Sequence, residues 1–327
     1  MPDLLTEARN VSFVDEHPDL GDGRQDIMAG LLANPKRVNP MWFYDQRGSE
    51  LFDEITRLPE YYPTRTEVGI LHEHRAAISA RCGQGCVFIE PGSGSSEKAR
   101  ILLDALQPAS YVPIDISSDY LQQAALSLGG EYPWLRVQAY CADFNTAWGF
   151  LDALPDGKRV VFYPGSTIGN LEPPLARQFL TRLAKLVGEG GGVLIGVDTH
   201  KSKATLNAAY NDSAGVTAQF NLNVLRRMNE LLDADFDERN FRHDAFYNET
   251  LRRIEMHLVS VSEQEVDCGG QTLSFAEGES IHTENSYKYT PDDFAELAAT
   301  AGFSLTESWL DDAGMFSVHY LELDAQD

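Results

Sequence analysis

The residues best suited to chemistry lie between Phe88 and Asp115. An apolar run, Val87-Phe88-Ile89, ends at an acid, Glu90, and the turn Gly92-Ser93-Gly94 precedes a helical segment that opens at Ser96-Glu97. Glycines at 92 and 94 let backbone approach a ligand where a Cβ would collide. The unpaired N–H groups at the start of the following helix suit a negative group. A second apolar run, Tyr111-Val112-Pro113-Ile114, ends at Asp115, about twenty residues past the glycines, where a doubly wound sheet places a carboxylate for ribose hydroxyls. The pattern reads as a site for a cofactor that contains adenosine.

A dinucleotide site wants a third glycine three residues after the second, for close helix packing below the pyrophosphate. Glu97 stands there instead. Five runs of parallel type followed by a helix and a late strand pair suit S-adenosylmethionine better. Asp143-Phe144, at the end of the third run, offers a carboxylate for the adenine amine and an aromatic face for its ring. Lys98, in the first helical turn, can meet the cofactor's carboxylate with its ammonium. After the fourth run comes Pro164-Gly165-Ser166-Thr167-Ile168-Gly169-Asn170. Ligands bind at the carboxyl ends of such strands, so this loop presents carbonyls and one side-chain amide beside the methyl donor. Its plainer reading is a strand-to-helix turn capped by Asn170.

These residues need a frame that brings strand ends together. Between residues 86 and 199 short apolar runs (86–90, 110–115, 136–141, 160–163, 192–198) alternate with helical patterns near 97–107, 118–128 and 173–188. That rhythm predicts an α/β fold with a doubly wound, Rossmann-like sheet. Val160-Val161-Phe162-Tyr163 and Val193-Leu194-Ile195-Gly196-Val197 carry no charge, as strands buried on both faces require. Residues 1–65 and 200–289 break the rhythm; the latter opens with a helical pattern from Leu206 to Met228 and ends in an alternating stretch around Arg252 to Val266. Thr290-Pro291-Asp292-Asp293 caps a further helix, and strand-like segments follow near 303–309 and 316–323. The division expected is a cofactor-binding domain of 66–199 and 290–327, and a smaller α+β substrate domain of 1–65 and 200–289.

The chain has 327 residues, 43% of them hydrophobic, and a net charge of −24. Such an acidic surface argues against nucleic acid or an anionic membrane as partner. Cys82, Cys86, Cys141 and Cys268 form no Cys-x-x-Cys pair and read as reduced packing residues. His72 and His74 lie two apart, which on a helix is not one face, so no metal site is expected. The start, Met1-Pro2-Asp3-Leu4-Leu5, lacks the basic and apolar regions of a signal peptide, and no run reaches the roughly 18 apolar residues of a membrane span. A cytoplasmic monomer acting on a small molecule is the expectation.

Further motifs sharpen this. Trp42-Phe43-Tyr44-Asp45, Leu58-Pro59-Glu60-Tyr61-Tyr62-Pro63-Thr64-Arg65, Gly92 to Lys98, Gly165 to Asn170, Gly215-Val216-Thr217-Ala218-Gln219-Phe220-Asn221 and Thr283-Glu284-Asn285-Ser286 occur in this order from about residue 25 onward. Together they resemble the L-histidine Nα-methyltransferases of ergothioneine biosynthesis, which belong to the class I methyltransferases. The resemblance implies three methyl transfers from S-adenosylmethionine to the histidine α-amine, giving hercynine. It implies cofactor contacts from Gly92, Lys98, Asp115, Asp143 and Phe144, and a grip on the substrate carboxylate from Asn170 and Tyr210. Tyr61, Glu284 and Ser286 would form the imidazole pocket, with Tyr44 and the Gly165 carbonyl near the amine. Pro91 and Asn285 depart from the pattern without touching a proposed contact atom.

Elementary chemistry agrees with that set. Methyl transfer is an in-line displacement that needs positioning more than acid–base chemistry. The nucleophile is the unprotonated amine, and a nearby sulfonium disfavours its ammonium form. Aromatic faces such as Phe43 and Tyr44 suit a quaternary ammonium product through cation–π attraction. A buried Glu284 needs a donor, and an imidazole N–H is one; Ser286, two residues on, shares its side of an extended segment. Open alternatives are the same N-methylation of tyrosine, tryptophan or a prenylated tryptophan, a nicotinamide-dependent oxidoreductase, and a binding subunit without activity.

Overall fold

The computed structural model describes residues 10–16, 23–143 and 154–323. The chain starts with β1 (Val11–Asp15), α1 (Gly23–Leu31), β2 (Lys36–Arg37), α2 (Gln46–Ile55) and α3 (Tyr62–Cys82). The alternating stretch follows as β3 (Val87–Pro91), α4 (Glu97–Leu106), β4 (Ser110–Asp115), α5 (Ser118–Glu131), β5 (Arg136–Cys141), β6 (Arg159–Tyr163), α6 (Pro173–Val187) and β7 (Gly192–Asp198). Next come α7 (Lys203–Tyr210), α8 (Val216–Leu232), β8 (Phe241–Asn248), β9 (Arg253–Ser260), β10 (Gln264–Asp267), β11 (Thr272–Phe275) and β12 (Ser280–Tyr287). Then α9 (Pro291–Ala299), β13 (Phe303–Leu310) and β14 (Phe316–Leu323) return to the first sheet.

The large sheet runs β1-β5-β4-β3-β6-β7-β14-β13; its first six strands are parallel and its last two antiparallel. The central strands show why runs such as 160–163 and 193–197 carry no charge. Phe88, Val160, Phe162 and Leu194 point into one core, with residues of α3, α4 and α5. Their neighbours Val87, Ile89, Val161, Tyr163, Val193 and Ile195 point into the other, with residues of α6 and α9. Side chains alternate across a strand, so a sheet covered on both faces has no position left for a solvated group.

A second layer builds the smaller lobe. A four-stranded sheet, β2-β12-β9-β8, and the hairpin β10-β11 share one apolar core with α1, α2, α7 and α8. Strand β12 carries the chain from this core back to the large sheet, where the Tyr289 N–H donates to the Asp198 carbonyl at 3.1 Å. At this seam a Cβ on Gly169 would lie 2.8 Å from the Tyr287 carbonyl oxygen, so the loop after β6 can touch β12 only through a glycine.

Two expectations need correction. Val11–Asp15 does not join the smaller lobe with the rest of 1–65; it pairs in parallel with Val137–Cys141 as an edge strand of the large sheet. The helical pattern from Leu206 to Met228 is two helices. Gly215 adopts φ +71°, and the Asp212 carboxylate takes the Val216 and Thr217 N–H groups at 2.8 Å each, which starts α8 afresh. All four cysteines are buried and free.

Candidate active site

The end of β3 makes the first half of the site. Gly92 and Gly94 take φ values of +67° and +50°, and the Gly92 N–H donates to the Ile114 carbonyl at 2.8 Å, fixing the turn against β4. Asp115 then holds both flanks: its carboxylate accepts the Gly94 N–H and the Ser117 N–H, each at 3.0 Å. Burial raises its carboxyl against those hydrogen bonds. Apart from its chain neighbours, no atom of the described residues lies within 4 Å of where a Gly94 Cβ would stand, leaving room for a ligand beside the turn. Glu90, beneath the turn, accepts the Tyr111 hydroxyl, and burial pushes its carboxyl up to about 8. Asp143 lies two residues beyond β5, and Phe144 lies outside the described residues.

Lys98, expected to face a cofactor carboxylate, has one of its N–H groups on Glu67 at 2.5 Å. Glu67 comes from α3, is 1% exposed, and accepts the Gly165 N–H at 2.9 Å. It fits because Gly196 has no side chain: a Cβ there would stand 1.9 Å from Glu67 Oε1. One buried carboxylate therefore ties the helix after the glycine turn to the loop after β6.

The second half is a cavity of about 60 Å³ between the two lobes. It is lined by Tyr44, Tyr61, Gly165, Asn170, Tyr210, Glu284 and Ser286, every residue expected at the amine, carboxylate and ring of the substrate. Phe52, Pro63, Ser166, Thr167, Asp198 and Lys288 complete the wall. Gly92, Lys98, Asp115 and Asp143 do not line it; Gly92, Asp115 and Asp143 follow or end β3, β4 and β5, and Lys98, in the first turn of α4, is joined to the cavity loop through Glu67. Asn170 does not cap α6, whose N-cap is Glu172. Its amide points into the cavity wall without a hydrogen bond to any described residue.

Aromatic rings form one side of the cavity. Tyr44 meets Phe52 and Phe220 edge-on, each at 5.8 Å, and Tyr61 meets Tyr210 at 6.2 Å. Phe43, expected with Tyr44 to offer an aromatic face to a cation, is instead fully buried against Phe220 at 4.6 Å, so of the two only Tyr44 lines the cavity. Burial and the Glu284 charge raise the Tyr44 and Tyr61 hydroxyls well above their ordinary range. They keep their protons, and can relay one but not hold a negative charge.

Charged groups form the other side. Asp198 accepts Lys288 and Lys201, each at 2.6 Å, and the Tyr62 hydroxyl at 2.7 Å. Burial alone would raise this carboxyl; the two ammonium groups outweigh it and hold the acid below its ordinary value. Burial lowers Lys201 to about 8. Lys288 and the Tyr210 hydroxyl both donate to Ser286 Oγ, at 2.7 and 2.9 Å. Glu284 is pushed up to about 7 by burial, with Lys288 opposing, and makes no hydrogen bond to a described residue. Among the described residues, this carboxylate and the Asn170 amide make no hydrogen bond although they line one cavity, the condition of groups that a ligand would satisfy.

Sequence reasoning missed Asp198, Lys288 and Glu67. Lys288 had a signal, since it follows Ser286 by two in an extended segment and so shares its face. Asp198 ends a buried strand, where ligand-directed residues gather. Among the described residues Glu255, His257 and His282 also lie together. The His257 and His282 rings stack at 4.7 Å and 14°, so an ion in the plane of one would sit over the face of the other. Glu255 already accepts Arg253 at 2.8 Å. This is a hydrogen-bonded stack, not a coordination shell. No described helix is long and apolar enough to cross a membrane.

Residues 23–323 match the family described as histidine-specific methyltransferase, SAM-dependent. The histidine N-alpha-methyltransferase of Mycolicibacterium smegmatis is 44% identical over 90% of this chain and 93% of its own length, and that of Mycobacterium tuberculosis 43% over the same shares. Ergothioneine biosynthesis protein 1 of Neurospora crassa is 29% identical over 84% of this chain and 32% of its own length. The chain belongs to the family of S-adenosylmethionine-dependent, histidine-specific methyltransferases.

Proposed function

We propose that this chain methylates the α-amine of L-histidine three times with S-adenosylmethionine, giving hercynine, the first step of ergothioneine biosynthesis. The observation that carries this is the cavity that unites Glu284 and the Asn170 amide, neither hydrogen-bonded to a described residue, with Ser286. An imidazole N–H supplies the donor that Glu284 lacks, and an α-carboxylate supplies the acceptor that the Asn170 amide lacks. Tryptophan fills the ring side less well, because an indole N–H can meet Glu284 but offers no acceptor to Ser286.

The cofactor residues fit S-adenosylmethionine. Gly92 and Gly94 leave the turn open, Asp115 keeps lone pairs for ribose hydroxyls, and Asp143 with Phe144 would take the adenine. Lys98 keeps two N–H groups beyond the one on Glu67, enough to meet the cofactor's carboxylate. Bound there, the cofactor supplies an electrophilic methyl on a sulfonium. The chain's own task is to hold the amine in line. Asn170 grips the carboxylate, whereas the Tyr210 O–H, expected to share that grip, donates to Ser286 Oγ and leaves its ring on the cavity wall; Tyr61 packs on the ring, and Tyr44 and the Gly165 carbonyl border the amine. None of these is a strong base that would trap the nitrogen before its last methylation. We take residues 66–199 with 290–327, joined by β1, as the cofactor domain, the remainder as the substrate domain, and the single chain as the active unit.

Mass spectrometry of an amino-acid mixture incubated with the protein and S-adenosylmethionine tests this. Histidine alone should gain three methyl groups. Trimethylation of tryptophan or tyrosine with histidine untouched would overturn it. S-adenosylhomocysteine should raise the melting temperature while NAD does not, since a ligand of the native state alone stabilises it.

A further inference from the structure

Lys288 is 2% exposed, and an ammonium has three N–H donors. One meets Asp198 Oδ2 at 2.6 Å, one meets Ser286 Oγ at 2.7 Å, and the Tyr210 hydroxyl oxygen stands 3.4 Å from the same nitrogen. The Tyr210 O–H itself donates to Ser286 Oγ at 2.9 Å. A hydroxyl oxygen has two lone pairs, and on Ser286 both are taken. The Ser286 proton is left to point elsewhere, and Ser286 lines the cavity with Glu284. Glu284, two residues earlier, is in the opposite condition, a carboxylate to which no described residue donates a hydrogen bond.

We propose that Lys288 is a positioning residue that sets specificity: by filling the acceptor sites of Ser286 it makes that hydroxyl a pure donor, and the cavity then takes its imidazole in the neutral form. The proposal rests on histidine as substrate. A neutral imidazole carries one N–H and one lone pair, which match the Glu284 carboxylate and the Ser286 O–H. An imidazolium carries two N–H groups. Its second would face an oxygen without a free lone pair, beside an ammonium 2.7 Å from that oxygen, and like charges this close repel. An indole has a single N–H and no second nitrogen, so it leaves Ser286 unmatched. The charged and titratable groups facing this corner are Glu284 and Lys288 on and after β12, Tyr210 on α7, Asp198 on β7, and Tyr44 and Tyr61 from the N-terminal segments. Of these only Lys288 touches Ser286 with a positive charge.

The test is the nitrogen NMR spectrum of ring-15N histidine bound with S-adenosylhomocysteine at about pH 6, below the ring's ordinary pKa of about 6.5. Free histidine is mostly doubly protonated there, whereas the bound ring should show one protonated and one unprotonated nitrogen. In Lys288→Met the Ser286 oxygen regains a lone pair, and the bound ring should move to the doubly protonated form at the same pH. A wild-type bound ring protonated on both nitrogens overturns the proposal whether or not the variant folds. A folded variant whose ring keeps the wild-type form overturns it too. If wild-type protein binds no histidine at all, the substrate reading falls first and takes this inference with it.

Discussion

The two halves of the site solve their recognition problems with different materials. The cofactor half is mostly backbone: a glycine turn pinned to the Ile114 carbonyl, and Asp115 spent on two N–H groups of its own loops. Its residues lie within one contiguous stretch. The substrate half is side chain: Tyr44, Asn170, Asp198, Tyr210, Glu284 and Lys288 arrive from distant segments and are held by buried ion pairs and hydrogen bonds. A backbone cradle suits a ligand common to many enzymes, because sequence can vary around it. A side-chain cavity suits a ligand that must be told from close analogues, since each buried polar group rejects whatever leaves it unpaired.

The sharpest way to break this contrast is to remove the charge that anchors the substrate half. Asp198→Asn leaves Lys288 and Lys201 buried without their carboxylate. Breaking a buried pair from one side costs about 3–5 kcal/mol, so urea unfolding should show a loss of that order together with lost histidine binding. A change below about 1 kcal/mol would mean that the lysines find other partners. The cofactor half has its own buried acid, with a signature in pH. Glu90 rises from 4.5 to about 8 on folding through burial. The folded chain therefore holds this proton more tightly, and the stability it contributes is fully present below about 4.5 and is lost as pH rises through about 8. Glu284 acts in the same sense up to about 7. Unfolding free energy of the apoprotein should fall by roughly 2–5 kcal/mol across this window, and Glu90→Gln, which keeps a partner for Tyr111, should flatten its upper part.

The same contrast explains what the sequence disclosed. The strands β3, β6 and β7 were legible because burial on both faces keeps charge out of their interiors over three to six residues, a local rule. The glycine turn was legible for the same reason, its physics lying within a few residues. Val11–Asp15 was not, because what makes it a strand is Val137–Cys141, more than a hundred residues away. Glu67 was not, because an acid on a helix reads as solvated until Gly165, Gly196 and Lys98 close around it. The break between α7 and α8 was visible in Asn211-Asp212-Ser213-Ala214-Gly215, a run of turn residues, but the apolar period on either side outweighed it. Motif likeness picked out residues that line one cavity; the ion network behind them has no motif.

A smaller effect tests the division within the cavity itself. Glu284→Ala removes the acceptor for a ring N–H and leaves apolar room. Histidine forfeits a charge-assisted bond worth about 1.5–3 kcal/mol, so its kcat/KM should fall roughly ten- to hundredfold. Tryptophan should lose less. Equal losses for both would mean that Glu284 does not read the ring, and the contrast between a generic and a selective half would lose its main support.

Asn170 lies where the halves meet, on the loop that Glu67 ties to Lys98 through Gly165. If the cavity is a separate device, Asn170→Ala should weaken histidine binding by roughly 1–3 kcal/mol, the cost of a carboxylate left without its donor, and leave S-adenosylhomocysteine binding nearly unchanged. The side chain makes no hydrogen bond to a described residue and caps no helix, so its removal should not unfold the loop. Calorimetric titration of each ligand against wild type and variant separates the outcomes. Loss confined to histidine places Asn170 in the selective half. Equal loss of both ligands would show that the loop is one mechanical unit with the glycine turn, and that the two halves are coupled through Glu67 rather than merely adjacent.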